Sequence, residues 1–157
     1  MREIKFRAYD KEYNRMIFQH DMNIALENKE YLFSLNEEGV ELLHYDKDYS
    51  AYVKCEAELM QYTGIYDKNG KEICVGDIVV LSEIIYNNCS KSEIEGAKSY
   101  IGKIVNYKGL CMCVKYKDKN GDTLYRPLYI LEQDITSDDC SLAIIGNIYE
   151  NEDLLEK

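Results

Sequence analysis

Tryptophan is absent from this chain of 157 residues, histidine occurs twice, phenylalanine three times and proline once. His20 and His44 are the only side chains with ordinary base strength at neutral pH, so acid–base catalysis has few candidates. His20 has carboxylates nearby in Asp21 and, more remotely, Glu12, but no nucleophile accompanies it. The chain also lacks a Gly-x-Ser-x-Gly nucleophile elbow, a phosphate-binding loop and a His-Glu-x-x-His metal motif. Two unrelated surface histidines are expected, in a protein that is not an enzyme.

Long apolar runs are missing too. The opening Met1-Arg2-Glu3-Ile4-Lys5-Phe6-Arg7 alternates charge with apolar residues, so neither a signal peptide nor a membrane span is expected. The sequence therefore predicts a cytoplasmic protein with no membrane partner. Six cysteines then read as reduced thiols and not as a disulfide framework. Cys111 and Cys113 stand two apart on a predicted strand, on one face, as half a metal site would require. Cys55, Cys74, Cys89 and Cys140 are scattered. Thiols acting as small hydrophobes, with no metal and no cofactor, are the expectation.

Positive charge is in deficit, with 19 Lys and Arg against 29 Asp and Glu, a net charge of −10. The deficit is spread along the chain and opposes general binding to nucleic acid or anionic lipid. Because lysines are interspersed, it also argues against a surface of acids that imitates DNA. Many acids fall in turns, as at Asp67, Asp77, Asp118 and Asp122, where a carboxylate bonds nearby backbone N–H groups.

What the chain does hold is tyrosine, 15 of them, within a 46% hydrophobic content that is ample for a core. Tyr rings pack on pleated strands with the hydroxyl at the wet edge, and Tyr is enriched at interfaces. Period-two alternation begins at once, with Ile4, Phe6 and Ala8 on one face and Arg7 and Tyr9 on the other. It predicts a hairpin with 16–18 across the polar turn 10–14. Strands 31–35 and 40–43 flank a second turn, and 52–62 reads as extended. Residues 21–29 fit either a short helix or an irregular strand.

Asp67-Lys68-Asn69-Gly70 ends in the pair that supplies positive φ to a two-residue hairpin turn, and Asp118-Lys119-Asn120-Gly121 repeats it. Their flanks differ, so the repeat reads as reuse of a good turn and not as a duplication. Residues 78–81 begin a buried strand and 87–98 read as an excursion loop. Strands follow at 101–107, 110–117 and 123–131, the last with Pro127 inside it, which predicts an edge strand or a bulge. A final strand at 142–148 leads into a short terminal helix capped by Asn151. The expected fold class is mostly β (α+β).

One local charge anomaly stands out. Lys98, Lys103, Lys108, Lys115, Lys117 and Lys119 face a single acid, Asp118, with Tyr100, Tyr107 and Tyr116 interleaved. Basic groups track phosphates while aromatic rings stack bases, as in small β-barrels that bind single strands. A solvated strand face carrying edge lysines against aggregation is the competing reading.

Three blocks carry a family resemblance: Arg2-Glu3-Ile4-Lys5-Phe6-Arg7-Ala8-Tyr9-Asp10, the stretch from Met60 to Val79, and Ile145-Gly146-Asn147-Ile148-Tyr149-Glu150-Asn151. Together they resemble the YopX family of phage and prophage proteins. The chain departs from that pattern at Ile65, at Cys74-Val75 and at Glu152. The resemblance implies a small β-rich part, residues 1–59, followed by an SH3-like barrel with the terminal helix, residues 60–157. It brings no catalytic residues; its shared positions, Gly64, Asn69, Gly70, Gly76, Asp77 and Gly146, look like turn makers and core formers. It further implies an accessory protein of a bacterial cell's phage. We expect one that acts by binding and self-associates as a homo-oligomer, with a host or phage protein as a further partner. The alternative is a nucleic-acid-binding module using the 98–119 face.

Overall fold

The computed structural model describes residues 5–18, 30–37, 39–136 and 139–156. Its backbone is mostly β, with one α-helix and one 3-10 helix among the described residues. Two compact units follow each other along the chain, Met1–Tyr62 and Thr63–Lys157. His20 and the undecided segment 21–29 lie outside the described residues.

In the first unit, β1 (Phe6–Asp10) and β2 (Arg15–Phe18) form the hairpin that the alternating opening predicts. β3 (Tyr31–Asn36), β4 (Gly39–Asp46) and β5 (Ala51–Lys54) make an antiparallel meander. β6 (Ala57–Tyr66) begins in this unit, where its residues 57–61 lie opposite β1. Ala8, Ile17 and Leu42 are the buried centre, with Tyr31, Phe33, Cys55, Ala57 and Leu59 packed around them. The two-face reading of β1 fails in one respect: Arg7 and Asp10 are buried along with Ala8. β1 is a middle strand between β2 and β6, and Asp10 is drawn in by the bonds it accepts.

The second unit continues with β7 (Glu72–Cys74), β8 (Asp77–Tyr86), β9 (Ile94–Tyr107), β10 (Cys111–Lys117) and β11 (Thr123–Pro127). Then come α1 (Leu128–Thr136), β12 (Cys140–Asn147) and the 3-10 helix η1 (Glu152–Glu156). Five strands form one antiparallel sheet in the order β11-β10-β9-β8-β12. Ile65, Ile73, Val79, Leu81, Ile104, Val114, Leu128, Leu131, Cys140 and Leu142 are its core.

Three expectations are corrected here. The strand predicted over 123–131 stops at Pro127, which has no N–H to give a ladder, and a helix takes over. Leu128 and Leu131, one turn apart, are buried while Tyr129 and Ile130 face out, a period too short to read through such strand-favouring residues. The loop expected over 87–98 is shorter, because β9 begins at Ile94 and pairs across to Tyr86. The terminal helix is a 3-10 segment of five residues.

Aspartate followed by lysine opens four of the hairpin turns. Asp10 accepts the N–H of Glu12 (3.0 Å) and Tyr13 (3.2 Å), and Asp46 does the same for Asp48 (2.8 Å) and Tyr49 (3.2 Å). Asp67 accepts from Asn69 (2.8 Å) and Lys71 (2.9 Å), and Asp118 from Asn120 (2.9 Å) and Asp122 (2.9 Å). These bonds overturn the expected two-residue Asn-Gly turn. The carboxylate holds the Asn N–H, Asn stays at negative φ, and only Gly70 (φ 78°) and Gly121 (φ 85°) turn left-handed. The result is a three-residue loop ending in a glycine bulge.

The turn with two positive φ angles is instead Lys108 (52°) and Gly109 (70°), between β9 and β10. A Cβ at Gly109 meets no atom within 4 Å, so only backbone conformation resists a side chain there. Gly109→Ala is expected to cost about 1–2 kcal/mol, read as a lower urea midpoint at unchanged m-value.

Candidate functional site

β9 pairs with β8 from Ile78↔Lys103 to Tyr86↔Ile94, but with β10 only from Tyr107↔Cys111 to Gly102↔Tyr116. Beyond Gly102 the strands part. β9 runs on with β8, as a two-stranded arm once β12 ends opposite Glu83, while β10 runs on with β11 into the turn at Asp118. A cleft of about 710 Å³ lies at this fork. Ser99, Tyr100 and Ile101 line it from β9, and Lys115, Tyr116, Lys117, Asp118 and Lys119 from β10 and its turn. Lys103, Thr123 and two residues of η1, Leu155 and Glu156, complete the lining.

Glycine is required where the fork closes. A Cβ at Gly102 would lie 2.7 Å from the Lys115 carbonyl oxygen and 2.9 Å from Tyr116 Cβ. The two backbones approach here as no larger residue allows.

Strand alternation sorts the predicted Lys–Tyr face into two. Lys103 stands directly opposite Lys115, and Lys115 opposite Tyr125, so these three share one face with Lys117. Tyr100 and Tyr116 point to the other face, where they pack against the core with ring centroids 4.8 Å apart. Burial raises the Tyr116 hydroxyl pKa, with Tyr100 and Asp118 adding to it. The tyrosines that do share the lysine face are Tyr107 and Tyr125, with ring centroids 4.6 Å apart. The Lys115 ammonium lies 5.7 Å from the Tyr125 ring centre and the Lys108 ammonium 5.4 Å from that of Tyr107.

Of the residues singled out from sequence, Lys103, Lys115, Tyr116, Lys117 and Lys119 thus meet at the cleft. Tyr107 and Lys108 lie at the far end of the β9–β10 hairpin, and Lys98 stands opposite Glu83, where the arm begins. Tyr125 was missed because it falls outside the lysine-rich window; only its register brings it beside Lys115.

The four cleft lysines form no ion pair with a described residue. Like charges directly across a ladder repel, so Lys103 and Lys115 cost stability until an anion joins them. Asp118, the nearest acid in sequence, is committed to Asn120 and Asp122 in its own turn.

The first unit carries a polar cluster that sequence reading did not assemble. Tyr31 donates to Asp10 (2.8 Å) and accepts from Arg15 (2.6 Å), which also pairs with Glu30 (2.9 Å). Burial first, and then the Asp10 carboxylate against the opposing Arg15, leaves the Tyr31 hydroxyl pushed up to about 12. His44 Nδ1 lies 3.5 Å from Cys55 Sγ. Burial, with Asp10 and Glu12 adding to it, pushes the Cys55 thiol up to about 11, so it is protonated at neutral pH and is no ready nucleophile. Cys111 and Cys113 do stand side by side, with Sγ atoms 3.5 Å apart, and burial pushes Cys113 up to about 11. Among the described residues no group of three or more metal-ligating side chains converges. Nor, among the described residues, is any helix long and apolar enough to cross a membrane.

The shared glycines sit at bends and close contacts. Gly64 (φ 74°) and Gly76 (φ 87°) take positive φ, and the Gly76 N–H reaches the Ile104 carbonyl at 2.9 Å. Asp77, buried, accepts the Cys74 N–H at 2.8 Å and so closes the turn around Gly76. A Cβ on Gly146 would lie 2.5 Å from Asn151 Oδ1, the atom that accepts the Asn147 N–H. With the turns at Asn69-Gly70 and Asp77 and the close contact at Gly146 in place, the model of the YopX protein family matches residues 5–156. The chain belongs to the YopX family. Protein EF1440 from Enterococcus faecalis, known from a crystal structure, resembles this YopX chain at 22% identity over 99% of both chains, with a TM-score of 0.47. No curated relative matches it.

Proposed function

We propose that this YopX protein is a non-enzymatic binding module that holds the phosphate backbone of a nucleic acid in the fork cleft. The observation that carries the reading is the set of four lysines around one concavity, none of them in an ion pair with a described residue, in a chain of net charge −10. A net-acidic chain that gathers such ammonium groups in one place favours an anion there against its overall field. We read residues 63–157 as an SH3-like barrel, a frame that presents such a face, and YopX membership supports a phage or prophage setting inside a bacterial cell. As a fold, that frame alone assigns no activity.

The test is fluorescence anisotropy with a labelled oligonucleotide across a salt series. Binding is expected to weaken with salt, with a slope corresponding to about two to four phosphate contacts. The combined Lys103→Glu, Lys115→Glu and Lys117→Glu variant is expected to lose about a hundredfold or more in affinity at low salt. Equal binding by that variant would end this reading.

Self-association is the second reading. The β11 edge of the five-stranded sheet keeps an apolar side chain exposed, Leu124, whereas the turn at Asp67 and Lys68 bonds the β12 edge. An open edge of that kind templates further pairing. A homo-oligomer by sedimentation, reduced to monomer by Leu124→Lys, is the expected result; a monomer at high concentration would remove the idea.

A further inference from the structure

We infer that the ligand is a single strand, with a base stacked on the Tyr107–Tyr125 pair and its backbone led by Lys115 and Lys117 into the fork. The inference rests on the nucleic-acid reading and goes beyond it by naming the strandedness and the base-contacting residue. Tyr125 lies on an edge strand, is 41% exposed, and has its ring braced by Tyr107 at 4.6 Å. A braced, half-open aromatic loses little freedom when a base is laid on it, and every base offers a π-face.

Register then aligns the charges with the ring. Lys115 is opposite Tyr125 and Lys117 is opposite Thr123, two residues further along the same face. Two residues of strand advance about 7 Å. An extended chain leaving the ring along β10 thus meets Lys115, then Lys117 beside Thr123, and Lys119 at the turn. Tyr100 and Tyr116, the tyrosines interleaved with lysines in sequence, cannot serve as this platform because their rings are packed against the core. A duplex keeps its bases stacked inside, so its phosphates reach the lysines while the Tyr125 ring stays unused.

The experiment uses the full chain and three probes: an oligothymidine of about twelve nucleotides, its duplex with oligoadenosine, and a polyphosphate of similar charge. Because the chain has no Trp, its intrinsic emission comes from tyrosine, and a stacked base is expected to quench part of it. Wild type is expected to bind the single strand about tenfold or more tighter than duplex or polyphosphate. Tyr125→Ala should lose that preference while its residual polyphosphate binding stays unchanged, and Tyr125→Phe should keep it. Equal affinity for all three probes, unaffected by Tyr125→Ala, would overturn the stacking inference and leave the anion cleft standing. Failure of every probe to bind would overturn both.

Discussion

Replacing Asp67 by Ala is expected to lower the free energy of unfolding of the second unit by about 3–5 kcal/mol. The carboxylate is buried and accepts three backbone N–H groups, from Asn69, Lys71 and Ile144, the last at 3.1 Å. Ile144 belongs to β12, so this one side chain closes the β6–β7 turn and also ties that turn to the sheet edge; Lys68 adds a backbone bond to the Leu142 carbonyl (2.8 Å). Alanine leaves these donors without their acceptor, at about 1–3 kcal/mol for each that water cannot reach. Asp118 supplies an internal control, since it opens the same four-residue motif in an exposed turn and, among the described residues, its carboxylate bonds only Asn120 and Asp122. Asp118→Ala should cost no more than about 1 kcal/mol. Chemical unfolding of the two variants side by side decides the matter, and equal losses would refute the distinction.

Asp67 also sets an acid limit. Burial alone would raise its pKa, but the backbone bonds from Lys71, Ile144 and Asn69 outweigh burial and leave it below the ordinary value of 3.8. A depressed native pKa contributes stability that is present above the unfolded value and lost as pH falls through the native one. Wild type should therefore lose stability faster than Asp67→Asn below about pH 4, with the gap between them closing in acid.

Gly102→Ala carries the second large effect. The added methyl lands 2.7 Å from a backbone carbonyl and 2.9 Å from Val114 Cγ1, and neither belongs to the free end of a flexible side chain. Strand β9 must move away from β10, at an expected cost of about 2–3 kcal/mol. Gly96, on the same strand but out on the arm, has nothing within 4 Å of a Cβ, and Gly96→Ala should be neutral or slightly stabilising. Thermal melts separate the two: a Gly102→Ala melt matching wild type would mean that the fork closes without the glycine. Because the last β9–β10 pair is Gly102↔Tyr116, the same change should also alter the width of the cleft, and with it affinity for the oligonucleotide.

Much of this fold is written locally. Strands announced themselves where alternation met turn chemistry, as in β1–β2, β3–β4 and β9–β10, and Pro127 does lie on an edge strand. What escaped sequence reading depended on partners far along the chain. Leu128 and Leu131 become helical because Pro127 ends the ladder and the core below accepts one face of a short helix. Asn69 keeps a negative φ because Asp67 bonds its N–H, a choice that the Asn-Gly pair alone does not reveal. At the cleft, the lysines were visible as a local excess of charge, but alternation turned Tyr100 and Tyr116 inward. Tyr125 joined the lysines through a register that the sequence does not state. Gly102 gave no sign at all, since its constraint comes from two carbons and an oxygen on another strand.

The arm that leaves the fork has a consequence for motion. From Ile84↔Ala97 to Tyr86↔Ile94 the two strands have no further ladder partner among the described residues, because β12 stops pairing with β8 at Glu83 and β10 leaves β9 at Gly102. A bare pair of strands is marginal in water. Its near end is held by the Ile84 N–H on the Asp139 carbonyl (2.9 Å), and its far end by the Tyr86 hydroxyl (2.7 Å) and the Lys91 ammonium on the Asp139 carboxylate. Amide protons of the arm should therefore exchange with deuterated solvent through local opening, orders of magnitude faster than those of Val79, Leu81 and Ile104. The Glu83↔Lys98 pair then divides a protected sheet from a segment that opens and closes while the rest stays folded, and the cleft residues Ser99, Tyr100 and Ile101 lie on the protected side of it.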